Sequence, residues 1–143
     1  MKKIILVEND SQHIAAYRRI FEKSDFDVEL ARTHEEMLEE LRDIRNGDSA
    51  KPDLVLLDFM LDDGRGIEVL RAIKKSHLTK DVPVFAVTNY QSHGTEQEFA
   101  RTGIAPEKYL IKAHHTPADL LDMAERYLGQ KPPRPNRPRV NLA

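Results

Sequence analysis

No cysteine occurs anywhere in the sequence, which excludes disulfides, thiolate metal sites and cysteine nucleophiles and fits a reducing compartment. Long apolar runs are absent as well. Lys2 and Lys3 precede only residues 4–7 before Glu8, Asn9 and Asp10 interrupt, a stretch too short for a signal peptide or a membrane span. A cytoplasmic location is expected, with no membrane partner. Net charge is small, −2 at neutral pH, which argues against bulk attraction to nucleic acid. What remains is a globular composition, 40% apolar and 32% charged over 143 residues, long enough for one domain with a single core.

The charge is unevenly placed. Lys131, Arg134, Arg137 and Arg139 are the only charged residues after position 130, so residues 1–130 carry 18 basic and 24 acidic groups, a charge of −6. Pro132, Pro133, Pro135 and Pro138 break any helix there. Residues 1–129 are therefore expected to form the domain and 130–143 a basic, proline-rich, disordered tail, more in keeping with a solvated extension than with a nucleic-acid arm.

Residues 4–7 form a short β-branched apolar run without alternation, the pattern of a strand buried on both faces of a parallel sheet. The pattern returns at 54–57, 82–87 and 109–111, and each run delivers a polar residue at its carboxyl end: Glu8, Asp58, Thr88 and Lys112. Residues 27–31 alternate weakly and read as a strand nearer an edge. Between the runs lie helical periods: Ile14, Tyr17 and Phe21; Met37, Leu41 and Ile44; Ile67, Leu70 and Ile73. Thr33 and Glu36 read as a capping box for the second helix, Thr116, Pro117 and Asp119 as the start of the last, and Gly129 as its stop. A fourth helix over 96–102, anchored only by Phe99 and Ala100, is expected to be short and mobile. The alternation predicts an α/β, flavodoxin-like, doubly wound five-stranded parallel sheet of order 2-1-3-4-5 with five helices.

In such sheets the ligand site lies outside the carboxyl ends of the strands, where strand order reverses. Glu8, Asn9 and Asp10 follow the first strand and Asp58 the third, so like charges converge with Lys112 as the evident basic neighbour. A divalent cation such as Mg2+ would relieve that repulsion. Asp58 is the natural nucleophile toward phosphorus, with Lys112 and Thr88 supplying a cation and a hydroxyl for the developing charge.

The segment from Leu54 to Gly66, with Val7-Glu8-Asn9-Asp10, Val87-Thr88 and Tyr109-Leu110-Ile111-Lys112, resembles the receiver domain of two-component response regulators, of the stand-alone, chemotaxis-regulator-like kind. That resemblance implies a signalling domain and not an enzyme, apart from self-phosphorylation and self-dephosphorylation. Asp58 would become an aspartyl phosphate by accepting the phosphoryl group of a phosphohistidine on a sensor histidine kinase or a histidine phosphotransfer protein. Glu8, Asn9, Asp58 and the Met60 backbone carbonyl, with Asp10 as a further candidate, would hold Mg2+ or Mn2+. Thr88 and Lys112 would grip the phosphoryl oxygens. Thr88 and Tyr109 would switch the face made by the fourth helix, fifth strand and fifth helix toward an output protein on a separate chain, and a homodimer is compatible with that scheme.

The sequence departs from the family at several points. Asn9 replaces a usual aspartate, which predicts weak metal binding. Asn89 and Tyr90 stand where they could crowd the site or shield it from water. Ala113 replaces a proline, which predicts a trans Lys112–Ala113 bond, since a cis bond to a non-proline residue costs about 2.5 to 4 kcal/mol, and a shifted following loop. These departures sustain an alternative, a pseudo-receiver that binds partners without phosphorylation. An aspartate-nucleophile phosphatase is disfavoured because Met60 occupies the place of its general acid. Gly64-Arg65-Gly66 lacks the third glycine of a dinucleotide loop. His114 and His115 read as solvated loop residues, and the other four histidines form no cluster.

Overall fold

Each apolar run becomes one strand of a single parallel sheet. The computed structural model describes residues 1–89 and 93–129. The elements, in chain order, are β1 (Lys3–Val7), α1 (Ser11–Phe21), β2 (Asp27–Ala31), α2 (His34–Arg45), β3 (Leu54–Asp58), α3 (Gly66–Lys75), β4 (Val84–Thr88), α4 (His93–Thr102), β5 (Lys108–Ile111) and α5 (Pro117–Leu128), with a 3-10 turn at Lys112–His114. The strands pair in the order β2-β1-β3-β4-β5, all parallel, as the strand–helix alternation predicted. Tyr90 and the tail from 130 to 143 lie outside the described residues.

The central strands β1, β3 and β4 are buried along their whole length, so successive side chains enter opposite core layers. Ile5, Val7, Val55, Leu57, Val84 and Ala86 face Met37, Leu41, Val69, Leu70 and Ile73 of α2 and α3. Ile4, Leu6, Leu54, Leu56, Phe85 and Val87 face Tyr17, Phe21, Leu120 and Ala124 of α1 and α5. The edge strands β2 and β5 are only partly covered.

Several boundaries differ from the expectation, each for a local reason. β1 begins at Lys3, which is buried because its aliphatic stem lies in the sheet while Nζ donates to Ala50 O at 2.7 Å and pairs with Glu29 at 3.3 Å. β4 begins at Val84, one residue after the proline that cannot donate to the ladder. At α2 the Thr33 hydroxyl accepts from Glu36 N as a cap should, but Glu36 Oε1 accepts from Arg32 N and so reaches one residue beyond the expected reciprocal partner. The full reciprocal box occurs at α5, between Thr116 and Asp119, and Gly129 ends that helix at φ 63°. The fourth helix is not short: it spans ten residues, as many as α3.

Candidate functional site

β1, β3 and β5 bring their carboxyl ends to one edge of the sheet, with β4 between β3 and β5, and residues at those ends meet. Glu8 leaves β1, Asp58 closes β3, and Lys112 follows β5. The Lys112 ammonium donates to Glu8 Oε1 at 2.6 Å and to Asp58 Oδ2 at 2.9 Å. Glu8 is 2% exposed and Asp58 9%, so one cation serves two carboxylates almost out of water. Burial alone would lower the Lys112 pKa, but the hydrogen bonds and negative charges of Glu8 and Asp58 outweigh it and raise the group above its ordinary value. The remaining carboxylate oxygens are held by backbone amides. Glu8 Oε2 accepts from Asn9 N and Asp10 N at 3.1 and 3.2 Å, and Asp58 Oδ1 accepts from Met60 N at 2.9 Å.

Thr88 closes β4 fully buried, one residue beyond Val87, the register partner of Asp58. Tyr109 lies half-buried in β5, where its ring stands edge-on to Phe59 and Phe99 at centroid distances of 6.1 and 5.4 Å; Phe59 and Phe99 are 6.0 Å apart. Asn89 is exposed beside Thr88. The Lys112–Ala113 bond is trans, there being no cis peptide bond among the described residues.

Asp10 is engaged elsewhere. Its Oδ1 accepts from Gln12 N and His13 N as the N-cap of α1, and the His13 amide chiefly holds its carboxyl below the ordinary aspartate value against a smaller opposing effect of burial. Two carboxylates, Glu8 and Asp58, therefore converge, and no group of three acidic or histidine side chains among the described residues is placed to hold a metal. The donors still suit Mg2+, which binds through one or two carboxylates and neutral oxygens and keeps several waters. The side-chain oxygen of Asn9 and the Met60 carbonyl are of that kind.

Two features were not anticipated from the sequence. Half-exposed His13 stands 3.7 Å from Glu8 Oε1, beside the acids. His34 is fully buried and contacts the peptide that carries Asp58, its Nε2 lying 2.8 Å from Asp58 O. A signal was available: positions 34, 37, 41 and 44 form one helical stripe, so His34 extends the buried face of α2. His114 is exposed in the 3-10 turn and His115 is half-buried.

A family model described as the response regulator receiver domain matches residues 4–125. The polar-differentiation response regulator DivK of Brucella anthropi is 28% identical over 128 residues, covering 90% of this chain and 97% of that protein. A solved CheY-like receiver domain protein from Methanospirillum hungatei superposes with a TM-score of 0.72 at 27% identity, over 91% of this chain and 95% of that one. The Mn(2+)-bound form of response regulator Rcp1 superposes with a TM-score of 0.67 at 26% identity, over 90% and 91% of the two chains.

Proposed function

The chain belongs to the response regulator receiver domain family, and from that premise we propose that Asp58 accepts a phosphoryl group from a phosphohistidine of a sensor kinase or phosphotransfer protein. The observation that carries this reading is the Lys112 ammonium bonded to both Glu8 and Asp58 at the strand ends. An Asp58 carboxylate oxygen forms a bond to phosphorus as the N–P bond of the donor breaks, the electron pair leaving on the donor nitrogen. Lys112 sits where it can donate to the transferred oxygens, and Thr88, at the end of the adjacent strand, supplies the hydroxyl.

Receiver domains bind divalent cations. Here Asp58, Glu8, Asn9 and the Met60 carbonyl would hold Mg2+ or Mn2+, and the bound ion would supply positive charge against the phosphoryl oxygens. Asp10 is the weakest candidate because its carboxylate caps α1. Drawing Thr88 inward would repack Tyr109 against Phe59 and Phe99 and so change the α4–β5–α5 face offered to an output protein. None of the described helices is long and apolar enough to cross a membrane, in keeping with a cytoplasmic signalling role.

Mg2+ with acetyl phosphate is expected to add one phosphoryl group to the wild type and none to Asp58→Asn, read by intact mass; an unmodified wild type refutes the proposal. Asn9, together with Asp10 turned to its helix, favours a second reading, a phosphorylation-independent interaction module. Under that reading, beryllofluoride with Mg2+ leaves the amide NMR spectrum of the wild type unchanged, and shifts at β4 and β5 amides reject it.

A further inference from the structure

His34 is the first residue of α2 and its side chain is 0% exposed, yet it makes no apolar use of that burial alone. Its ring joins three segments. The Asp58 carbonyl can only accept, so the Nε2 atom 2.8 Å away carries the proton and donates. On the other side of the ring Nδ1 accepts from Arg65 N at 2.8 Å and lies 2.9 Å from Asp63 Oδ1. Asp63 Oδ2 in turn accepts from Glu35 N at 3.0 Å. The imidazole thus bridges the peptide at the end of β3 to the peptide at the start of α3, across the loop that contains Met60.

The two peptides it joins are otherwise held by different neighbours, the first by β4 and the second by α2 and α3. Leu57 is the last residue of β3 paired with β1, so Asp58 O lies past that ladder, while Phe59 N of the same peptide donates to Val87 O of β4 at 2.9 Å. Arg65 gives α3 no side-chain cap, its guanidinium pairing instead with Glu35 and Glu68. The same loop brings Met60 N to Asp58 Oδ1. A ring that fixes both ends of residues 58–65 therefore fixes where the Asp58 carboxylate and the Met60 carbonyl stand relative to each other.

We infer that His34 is a positioning residue for phosphoryl acceptance: through its bond to the Asp58 carbonyl it holds the phosphoacceptor and the Met60 carbonyl in a common geometry for the cation and the phosphoryl donor. This rests on the reading of Asp58 as phosphoacceptor. It acts as an outer-shell partner does at a metal site, by restricting the groups that touch the ligand.

Two polar substitutions separate the bonds the ring makes. In His34→Gln the side-chain nitrogen still reaches the Asp58 carbonyl, whereas His34→Asn reaches only as far as the Arg65 side. The full chain is labelled with acetyl phosphate over a Mg2+ titration, and urea unfolding is recorded for each variant. His34→Asn is expected to label about 10-fold more slowly and to require more Mg2+ for half-saturation, the scale found for outer-shell partners. His34→Gln is expected to stay close to the wild type, even where the two variants are equally stable, which a purely structural role would not produce. A His34→Asn protein with wild-type rate and half-saturation overturns the inference, as do Asn and Gln variants that are equally slow. No labelling of the wild type overturns the phosphoacceptor reading as well, whereas a labelled wild type with unaffected variants overturns the role of His34 alone.

Discussion

A lysine that satisfies two carboxylates at once is expensive to remove. Without Lys112, Glu8 and Asp58 remain nearly buried with like charges and no ammonium between them. Lys112→Met is therefore expected to destabilise the domain by roughly 3 kcal/mol in urea unfolding, the scale of breaking a buried ion pair. The sign of its pH dependence follows from the direction of the shift. The Lys112 pKa is raised in the folded protein, so its contribution is complete below the ordinary lysine value of about 10.4 and is lost as pH rises through the higher folded value. The difference between wild type and Lys112→Met should stay flat from neutrality to about pH 10 and shrink above it. A gap that already closes near neutrality would mean the ammonium is not what holds the pair. Asn9 offers the converse experiment. Adding a carboxylate in Asn9→Asp should tighten Mg2+ binding by about tenfold, measured by amide NMR titration, because ligand charge tunes hard-cation sites.

Between residue and fold, the elements show why some features can be read from sequence and others cannot. The strands were legible because a buried parallel strand writes its burial as an unbroken apolar run, and a polar residue after such a run marks the carboxyl edge where ligands bind. That logic reaches Glu8, Asp58, Thr88 and Lys112 individually, and the Lys112 bonds to Glu8 and Asp58 join residues 104 and 54 positions apart. It does not reach Asp63 or the ring of His34, whose partners are fixed by how α2 leans on the β3–α3 loop, nor does it tell that Asp10 turns to cap α1. Gly64 in that loop and Gly66 at the start of α3 meet two different demands. Gly64 has φ 63° in open space, so Gly64→Ala carries backbone strain of about 1 kcal/mol without a clash. A Cβ on Gly66 would stand 2.7 Å from Phe59 O and 3.2 Å from Phe59 Cα. Backbone cannot move aside as a side chain can. Gly66→Ala is expected to cost about 1 to 3 kcal/mol in urea unfolding, and more than Gly64→Ala; the reverse order would show that the loop yields.

Across the whole molecule, one sheet separates two core layers, and the aromatic group of Phe59, Phe99 and Tyr109 ties β3, α4 and β5 together on one side of it. Ile73 of α3 and Ile4 of β1 are each 0% exposed and belong to different layers. Removing one methylene from either leaves a small cavity, so Ile73→Val and Ile4→Val should each lower stability by about 0.5 to 1.5 kcal/mol. The layers share no side chain at these positions but share every central strand. Energies at sites without common partners add to within about 0.5 kcal/mol, while a domain with one continuous sheet unfolds as a unit. The double variant is therefore expected to show the sum of the two losses in a single urea transition, coincident by far-UV circular dichroism and tyrosine fluorescence. Two resolved transitions would mean that the two faces unfold independently.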